Sequence, residues 1–148
     1  MGIKDMYSHI LVRMVPLVLN IPPAVIEKAH GALDKRSIIT AYRGSIAHGM
    51  YVPKNDPNSI DDRDIMGVCV PPKEYYFGYD PAFAGENGFP VNGVKEIVSG
   101  EWDIVIYEAR RFINLLAKGN PNVLSILWVE PNYYLQVTTA GKMLIDNR

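Results

Sequence analysis

The chain has 148 residues, about the length of one domain, and its 48% hydrophobic and 21% charged residues are typical of a soluble globular protein. A net charge of -1 excludes a surface built to neutralise many phosphates, because such a surface needs a clustered basic excess. The single cysteine, Cys69, excludes an intrachain disulfide and suits a reducing cytoplasm. No extended nucleic-acid surface is therefore expected.

The N-terminal part of the chain predicts two helices. The one that comes second in the chain is expected from Pro22-Pro23 to about Leu33, because proline is favoured at a helix start. Charged residues interrupt the apolar stretch before it, and no window reaches the ~18 uninterrupted apolar residues of a membrane span, so no membrane association is expected. The first helix, which Pro16 kinks or ends, is predicted from apolar residues at helical spacing: Ile10, Leu11, Met14, Leu17 and Val18.

The middle of the chain predicts two strands separated by a turn. "SIITAYRG" is rich in β-branched and aromatic residues, and it leads into a short helix, "SIAHGM". "VPKNDPNS" has the composition of a turn, and "DRDIMGVCV" predicts a strand that Pro71 and Pro72 close. A long irregular stretch rich in Gly, Pro and Tyr follows.

The C-terminal half predicts a hairpin followed by helices. "VKEIVSGEWDIVIYE" alternates on both sides of Ser99-Gly100, which is typical of two strands joined by a tight turn. "ARRFINLLAKG" predicts a helix with Gly119 at its C-terminal end, and "NPNVLSILW" predicts a shorter one. A last helix begins in "TAGKMLIDNR".

Together these elements predict an α/β (α+β) fold, with a small mixed sheet and helices packed on one face. The expected organisation is a single domain over residues 1–148. Its N-terminal helices occupy residues 1–36, its core residues 37–130, and the start of a C-terminal helical part, cut by the chain end, residues 131–148.

Asp62 and Asp64 lie two residues apart on the strand predicted from "DRDIMGVCV", which is called the acidic strand below. Side chains alternate between the faces of a strand, so both carboxylates are expected on one face, with Cα atoms roughly 6.5 Å apart. Such a pair can hold two divalent ions about 3.5–4 Å apart, and a cation relieves the repulsion between the two charges. The alternative is an exposed acidic turn without a ligand.

Gly44 and Ser45 lie upstream, where a strand turns into a helix. Glycine lets the backbone approach a phosphate closely, and a helix N-terminus offers free N–H groups. Ser45 can add its hydroxyl, and His48 is close enough in sequence to contact a phosphate or a base. The alternatives are a simple N-cap for the Gly-Ser pair and a local packing role for His48.

Asp103 is a third acid, in the later strand "WDIVIY". Aspartate is depleted in strands, so its presence in this β-rich run is unusual. If this strand lies beside the first acidic strand, Asp103 can complete a metal site or take the proton from an acceptor hydroxyl. The alternative is an acid at a strand edge that faces solvent next to the hairpin turn.

The order of these features resembles the nucleotidyltransferases of the DNA polymerase β superfamily. The resemblance is closer to one bacterial and phage branch, the RNA-repair-associated polymerase-β-like nucleotidyltransferases. It is carried by "GSIAHG", "DRDIMGVCVPPKEYYFGY" and "DIVIYEARRFINLLAKGNPNVLSILW", which together cover roughly residues 38 to 130.

The resemblance implies a role for each of these positions. Gly44 and Ser45 would hold the triphosphate of a nucleotide, and Asp62, Asp64 and Asp103 would be catalytic carboxylates that bind Mg²⁺, with two ions expected and Mn²⁺ as a substitute. The implied reaction transfers a nucleoside monophosphate from an NTP, with ATP expected, to a hydroxyl and releases pyrophosphate. The acceptor is an RNA end, a protein or a small molecule.

Two other functions stay open. One is a nucleotide-binding or partner-binding module that has kept the fold but lost turnover. The other is an antitoxin-like nucleotidyltransferase that modifies a partner protein. Metal-dependent NTP binding, with no release of pyrophosphate whichever acceptor is present, would favour the first of these.

Overall fold

The structure is a computed structural model that describes residues 21–53, 55–59, 62–77 and 88–148. Five strands form one sheet: β1 (Ser37–Tyr42), β2 (Arg63–Cys69), β3 (Val94–Ser99), β4 (Trp102–Glu108) and β5 (Tyr134–Val137). Their order across the sheet is β3-β4-β2-β1-β5. The pairing of β2 with β4 is parallel and the other three pairings are antiparallel, so the sheet is mixed.

Six α-helices accompany the sheet in the described part of the chain: α1 (Pro23–Lys28), α2 (Gly44–Ala47), α3 (Lys73–Phe77), α4 (Ala109–Ala117), α5 (Pro121–Leu124) and α6 (Thr139–Asp146). Two 3-10 turns, Ser125–Leu127 and Pro131–Tyr133, lie between α5 and β5. No helix among the described residues is long and apolar enough to cross a membrane. The predicted small mixed sheet with packed helices is therefore confirmed.

The hydrophobic core has two parts, one on each face of the sheet. On one face, Ile65 and Ile104 pack with Val25 of α1. On the other face, Met66 packs with Phe112 of α4, and the same cluster includes residues of α5 and α6. Helices thus cover both faces and not one face alone, because β2 and β4 are interior strands whose side chains are buried on both sides.

Three local features differ from the sequence-based expectations. The second predicted helix ends at Lys28 and not near Leu33, because His30 and Gly31 adopt positive φ angles of 50° and 78° that a right-handed helix cannot continue. Helix α3 forms at the start of the stretch expected to be irregular. Strand β5 was not predicted, since its four residues are too few to show clear alternation.

The remaining predicted elements are confirmed where the chain is described. The strand before Gly44, the acidic strand, the hairpin over β3 and β4, and the helices α4, α5 and α6 all form. Gly119, at φ 67°, follows the end of α4 as expected. The predicted first helix, with Pro16, lies outside the described residues.

Candidate active site

Two of the three predicted acids are brought side by side by the parallel pairing of β2 and β4. Asp64 is the second residue of β2, Asp103 is the second residue of β4, and the two are register partners. Partners on parallel strands point to the same face and lie one strand spacing apart, about 4.8 Å. The side chains of Asp64 and Asp103 are 25% and 38% exposed. They form a pair of partly buried carboxylates open to solvent.

Asp103 is not an acid at the edge of the sheet. Strand β4 lies between β3 and β2, and Asp103 pairs with Val98 on one side and with Asp64 on the other. The exposed side chain of Val98, at 75%, leaves the surface next to this carboxylate open. Strand β4 is therefore not an edge strand, although the Asp103 side chain is partly exposed and lies beside the hairpin turn.

The glycine turn lies directly against Asp64. Strand β1 runs antiparallel to β2, so the end of β1 meets the start of β2, and the Arg43 N–H donates a hydrogen bond of 2.9 Å to the Asp64 carbonyl oxygen. Gly44 then adopts φ 61°. A Cβ atom at Gly44 would overlap Asp64 Oδ2 and would lie 3.0 Å from Asp64 Cγ. Glycine is favoured here for both its backbone angle and its small size.

Ser45 and His48 lie on the short helix that follows. Helix α2 begins at Gly44, and its N-cap is Arg43, whose side chain makes no capping hydrogen bond. Ser45 is thus the second residue of the helix and not its N-cap. His48 is the exposed C-cap residue, and its N–H donates a 3.2 Å hydrogen bond to the Gly44 carbonyl oxygen. Both residues lie within four positions of Gly44 along the chain.

Asp62 is placed differently from the other two acids. It lies immediately before β2, outside the strand, and it is exposed. Among the residues that the structure describes, no group of three or more acidic, histidine or cysteine side chains is arranged to hold a metal ion. The structure therefore brings Asp64 and Asp103 together without forming a three-carboxylate cluster that includes Asp62.

Arg43 is a site residue that the sequence analysis missed. Its Nη2 atom lies 3.9 Å from Asp64 Oδ1 and 3.7 Å from Asp103 Oδ2. Its Nε atom is buried and has no hydrogen-bond partner among the described residues. Nothing in the local sequence shows that an arginine before a Gly-Ser pair will reach two acids, because this depends on which strands become neighbours.

A second arginine supports the site from the opposite face of β2. The Arg63 guanidinium lies 5.2 Å from the centre of the Trp102 ring, and its Nε is 3.5 Å from Glu101 Oε1. Burial raises the pKa of the neighbouring Tyr42 hydroxyl, an effect that the Arg63 charge opposes in part, so Tyr42 is neutral at pH 7. Arg63 therefore anchors the start of β2 and β4 and faces away from the carboxylates.

A family model described as RlaP, RNA repair pathway DNA polymerase beta family, matches residues 24–147. The chain belongs to this family. The match covers the whole of the described site, from the end of β1 to β4. The search of curated proteins and the search of solved structures gave no significant match.

Polymerase-beta-like nucleotidyltransferases of this family typically use divalent metal ions. The residues of the RlaP-family site fit such an ion in chemical type, because carboxylate oxygens are the ligands that Mg²⁺ prefers. Asp64 and Asp103 supply them from one face, and the space next to Asp64 is kept open by the missing side chain of Gly44. The position also accepts positive charge, since the Arg43 guanidinium already lies there.

Proposed function

We propose that this RlaP-family chain is a metal-dependent nucleotidyltransferase that moves a nucleoside monophosphate from an NTP to a hydroxyl acceptor. The observation that carries the proposal is that Asp64, Asp103 and the Gly44 turn lie together at one end of the sheet. Asp64 and Asp103 are register partners on parallel strands, and the Gly44 turn lies against Asp64. A hydroxyl, a triphosphate and cationic charge must meet at one point in this reaction, and these residues supply the contacts for each.

The carboxylates would hold the metal. Asp64 and Asp103 are the proposed principal ligands, and Asp62, which lies just before β2, is proposed as a third. When bound, Mg²⁺, as two ions, would supply positive charge beside the reacting phosphate and the departing pyrophosphate. Mn²⁺ is the expected substitute, because it accepts the same oxygen ligands.

The glycine turn would bind the nucleotide. Gly44 allows the triphosphate to approach the backbone, and Ser45 offers its hydroxyl to a phosphate oxygen. His48, exposed at the end of α2, is proposed to contact the nucleotide from the rim of the site. ATP is the expected nucleotide.

The proposed reaction is an in-line displacement at the α-phosphorus. The acceptor oxygen forms a bond to the α-phosphorus, the bond from this phosphorus to the bridging oxygen of the β-phosphate breaks, and pyrophosphate leaves. Asp103 is proposed to take the proton of the acceptor hydroxyl, since it is the more exposed of the two paired carboxylates. Asp64, packed against the glycine turn, would keep the metal and the triphosphate in register.

One observation favours a second candidate, a nucleotide-binding module without turnover. The described residues contain no cluster of three metal-binding side chains, and an arginine lies beside the two acids that are together. A module of this kind would bind an NTP in the presence of metal but release no pyrophosphate with any acceptor. An antitoxin-like protein that modifies another protein would release pyrophosphate only with a protein acceptor.

The test measures NTP binding and pyrophosphate release in the same preparation. The protein is titrated with each NTP, with and without Mg²⁺, and is then incubated with labelled NTP and RNA carrying a free 3′-hydroxyl, with bulk protein or with small polyols. RNA is the first acceptor to test because the family is described by RNA repair. Label transfer with release of pyrophosphate is expected, and binding without release under every condition would favour the module.

Two variants separate the site from the rest of the surface. Asp62→Ala combined with Asp64→Ala is expected to abolish Mg²⁺-dependent nucleotide binding while the fold is kept. Asp146→Asn is the matched control, because this acid is exposed on α6 and pairs only locally with Lys142, at 2.7 Å. Unchanged nucleotide binding in the double variant would show that the assignment of the metal site is wrong.

A further inference from the structure

The Arg43 guanidinium lies where a divalent cation would bind in the proposed function. Its Nη2 atom is within 4 Å of one carboxylate oxygen of Asp64 and one of Asp103. Two partly buried carboxylates on neighbouring strands repel each other, and a nearby positive charge lowers the free energy of this repulsion. Arg43 therefore supplies a cation to the pair from within the chain.

The backbone fixes the position of this arginine. The Arg43 N–H donates to the Asp64 carbonyl oxygen at 2.9 Å, and the next residue, Gly44, turns the chain at φ 61°. The Arg43 side chain is 28% exposed, and its Nε atom is buried. A freely exposed arginine would sample many positions, whereas this side chain starts from a backbone that is hydrogen-bonded to Asp64 itself.

The contact is also weak enough to be displaced. Charge-assisted hydrogen bonds between guanidinium and carboxylate have N–O distances of about 2.7–2.9 Å. The distances here are 3.9 Å and 3.7 Å, and Nε has no hydrogen-bond partner among the residues described. The arginine thus lowers the repulsion between the acids without making the paired hydrogen bonds that would hold it firmly.

We propose that Arg43 is an internal cation that competes with a divalent metal ion for Asp64 and Asp103. Its single positive charge offsets part of the charge of the two carboxylates when the metal is absent, and it must move away when the metal binds. Arg43 thereby sets the metal concentration at which the site fills. This inference rests on the proposed metal-dependent function, and it adds a residue that regulates the same site.

Arg63 provides the matched control. Like Arg43, it is an arginine paired with an acid, and its removal changes the net charge by the same amount, but it lies at the start of β2. It faces the opposite side of the sheet, over the Trp102 ring. A change in metal affinity that follows from overall charge alone would appear in Arg43→Gln and Arg63→Gln equally.

The first measurement tests the arginine–carboxylate contact in metal-free buffer. Urea unfolding is followed for the wild type, Arg43→Gln, Asp103→Asn and the double variant, with a chelator present. Arg43→Gln is expected to lower the urea midpoint in the wild-type background and to have a smaller effect when Asp103 is already Asn. Equal shifts in the two backgrounds would overturn the proposal, because they would show that the two side chains do not interact.

The second measurement titrates Mn²⁺ into the wild type, Arg43→Gln and Arg63→Gln by calorimetry. Arg43→Gln is expected to bind Mn²⁺ about three- to thirtyfold more tightly than the wild type, the range given by losing two partly exposed ion pairs. Arg63→Gln is expected to stay within about twofold of the wild type. If Arg43→Gln does not fold, Arg43→Lys replaces it and is expected to show a smaller gain.

The outcomes separate the two proposals. Equal Mn²⁺ affinity in Arg43→Gln and the wild type, or an equal gain in Arg63→Gln, overturns the role of Arg43 and leaves the proposed function in place. A third outcome is that the urea series shows an interaction between Arg43 and Asp103 but none of the proteins binds Mn²⁺. This result overturns the metal-dependent function, and it also overturns the proposed competition between Arg43 and the metal. Tighter binding in Arg43→Gln alone supports both.

Discussion

Replacing Gly44 by alanine perturbs the one residue that joins the backbone turn to the acid pair. Gly44 has φ 61°, and an added Cβ would overlap Asp64 Oδ2. The left-handed backbone costs alanine about 1–2 kcal/mol, partly offset by about 0.4–1 kcal/mol because alanine restricts the unfolded chain. The overlap adds a further requirement, since the Asp64 carboxylate must rotate away.

Gly49 supplies the matched control for the backbone term. It also has a positive φ, 68°, and a Cβ added there meets no atom within 4 Å. Gly49→Ala is therefore expected to lower the free energy of unfolding by about 1 kcal/mol, equivalent to a fall of about 2–4 °C in Tm. Gly44→Ala is expected to lose about 1–2.5 kcal/mol, because it also gives up the ion pair between Asp64 and Arg43.

The two variants differ most in metal binding. Gly44→Ala moves a proposed ligand, so its Mn²⁺ affinity is expected to fall about tenfold or more, whereas Gly49→Ala keeps the wild-type affinity. Urea unfolding followed by circular dichroism gives the stabilities, and calorimetric titration gives the affinities. Equal Mn²⁺ affinity in Gly44→Ala and Gly49→Ala would refute the reasoning, because it would show that the glycine does not make room for the Asp64 carboxylate.

Three further predictions concern the framework around the site. Gly141→Ala is expected to lower the free energy of unfolding by about 1–3 kcal/mol, because the added Cβ would overlap the Ile38 carbonyl oxygen where α6 packs on β1. A fall in urea midpoint no greater than that of Gly49→Ala would contradict this. Glu108→Ala is expected to lower the free energy of unfolding by about 2–3 kcal/mol, since Glu108 caps α4 and accepts a 2.8 Å hydrogen bond from the Tyr76 hydroxyl. Glu108→Gln keeps one acceptor oxygen and is expected to lose less stability in the same assay. Burial raises the pKa of the Cys69 thiol to about 12 from 9.0, so its stabilising contribution is present below pH 9 and is lost by about 1.4 kcal/mol per pH unit as the pH rises toward 12. Cys69→Ala removes that slope, and parallel stability curves for the two proteins above pH 9 would contradict the assignment.

Local patterns were sufficient for much of the fold. The alternation around Ser99-Gly100 predicted the hairpin, and the β-branched run before Gly44 predicted β1. The proline and glycine positions predicted the start of α5 and the end of α4. Local composition does not predict strand β5, because this short edge strand gains its stability from pairing with β1.

The candidate site was predictable in part. Gly44 before a short helix and an acid near the start of β2 could be read from the chain, because turn chemistry and strand alternation are local. Asp62 was expected to share the strand with Asp64, but the strand begins at Arg63. Strand ends are set by where the hydrogen-bonded partner strand ends, so the sequence placed this boundary one residue too early.

By itself the sequence determined the residue types and their local conformations. It specified a glycine where the backbone needs a positive φ, acids at the start of two β-rich runs and a family pattern over most of the chain. Only the tertiary structure decided that Asp64 and Asp103 are partners on parallel strands and that Arg43 reaches both. The physical reason is that strand pairing depends on contacts between distant residues, and a one-residue change of register would turn each of these side chains to the other face.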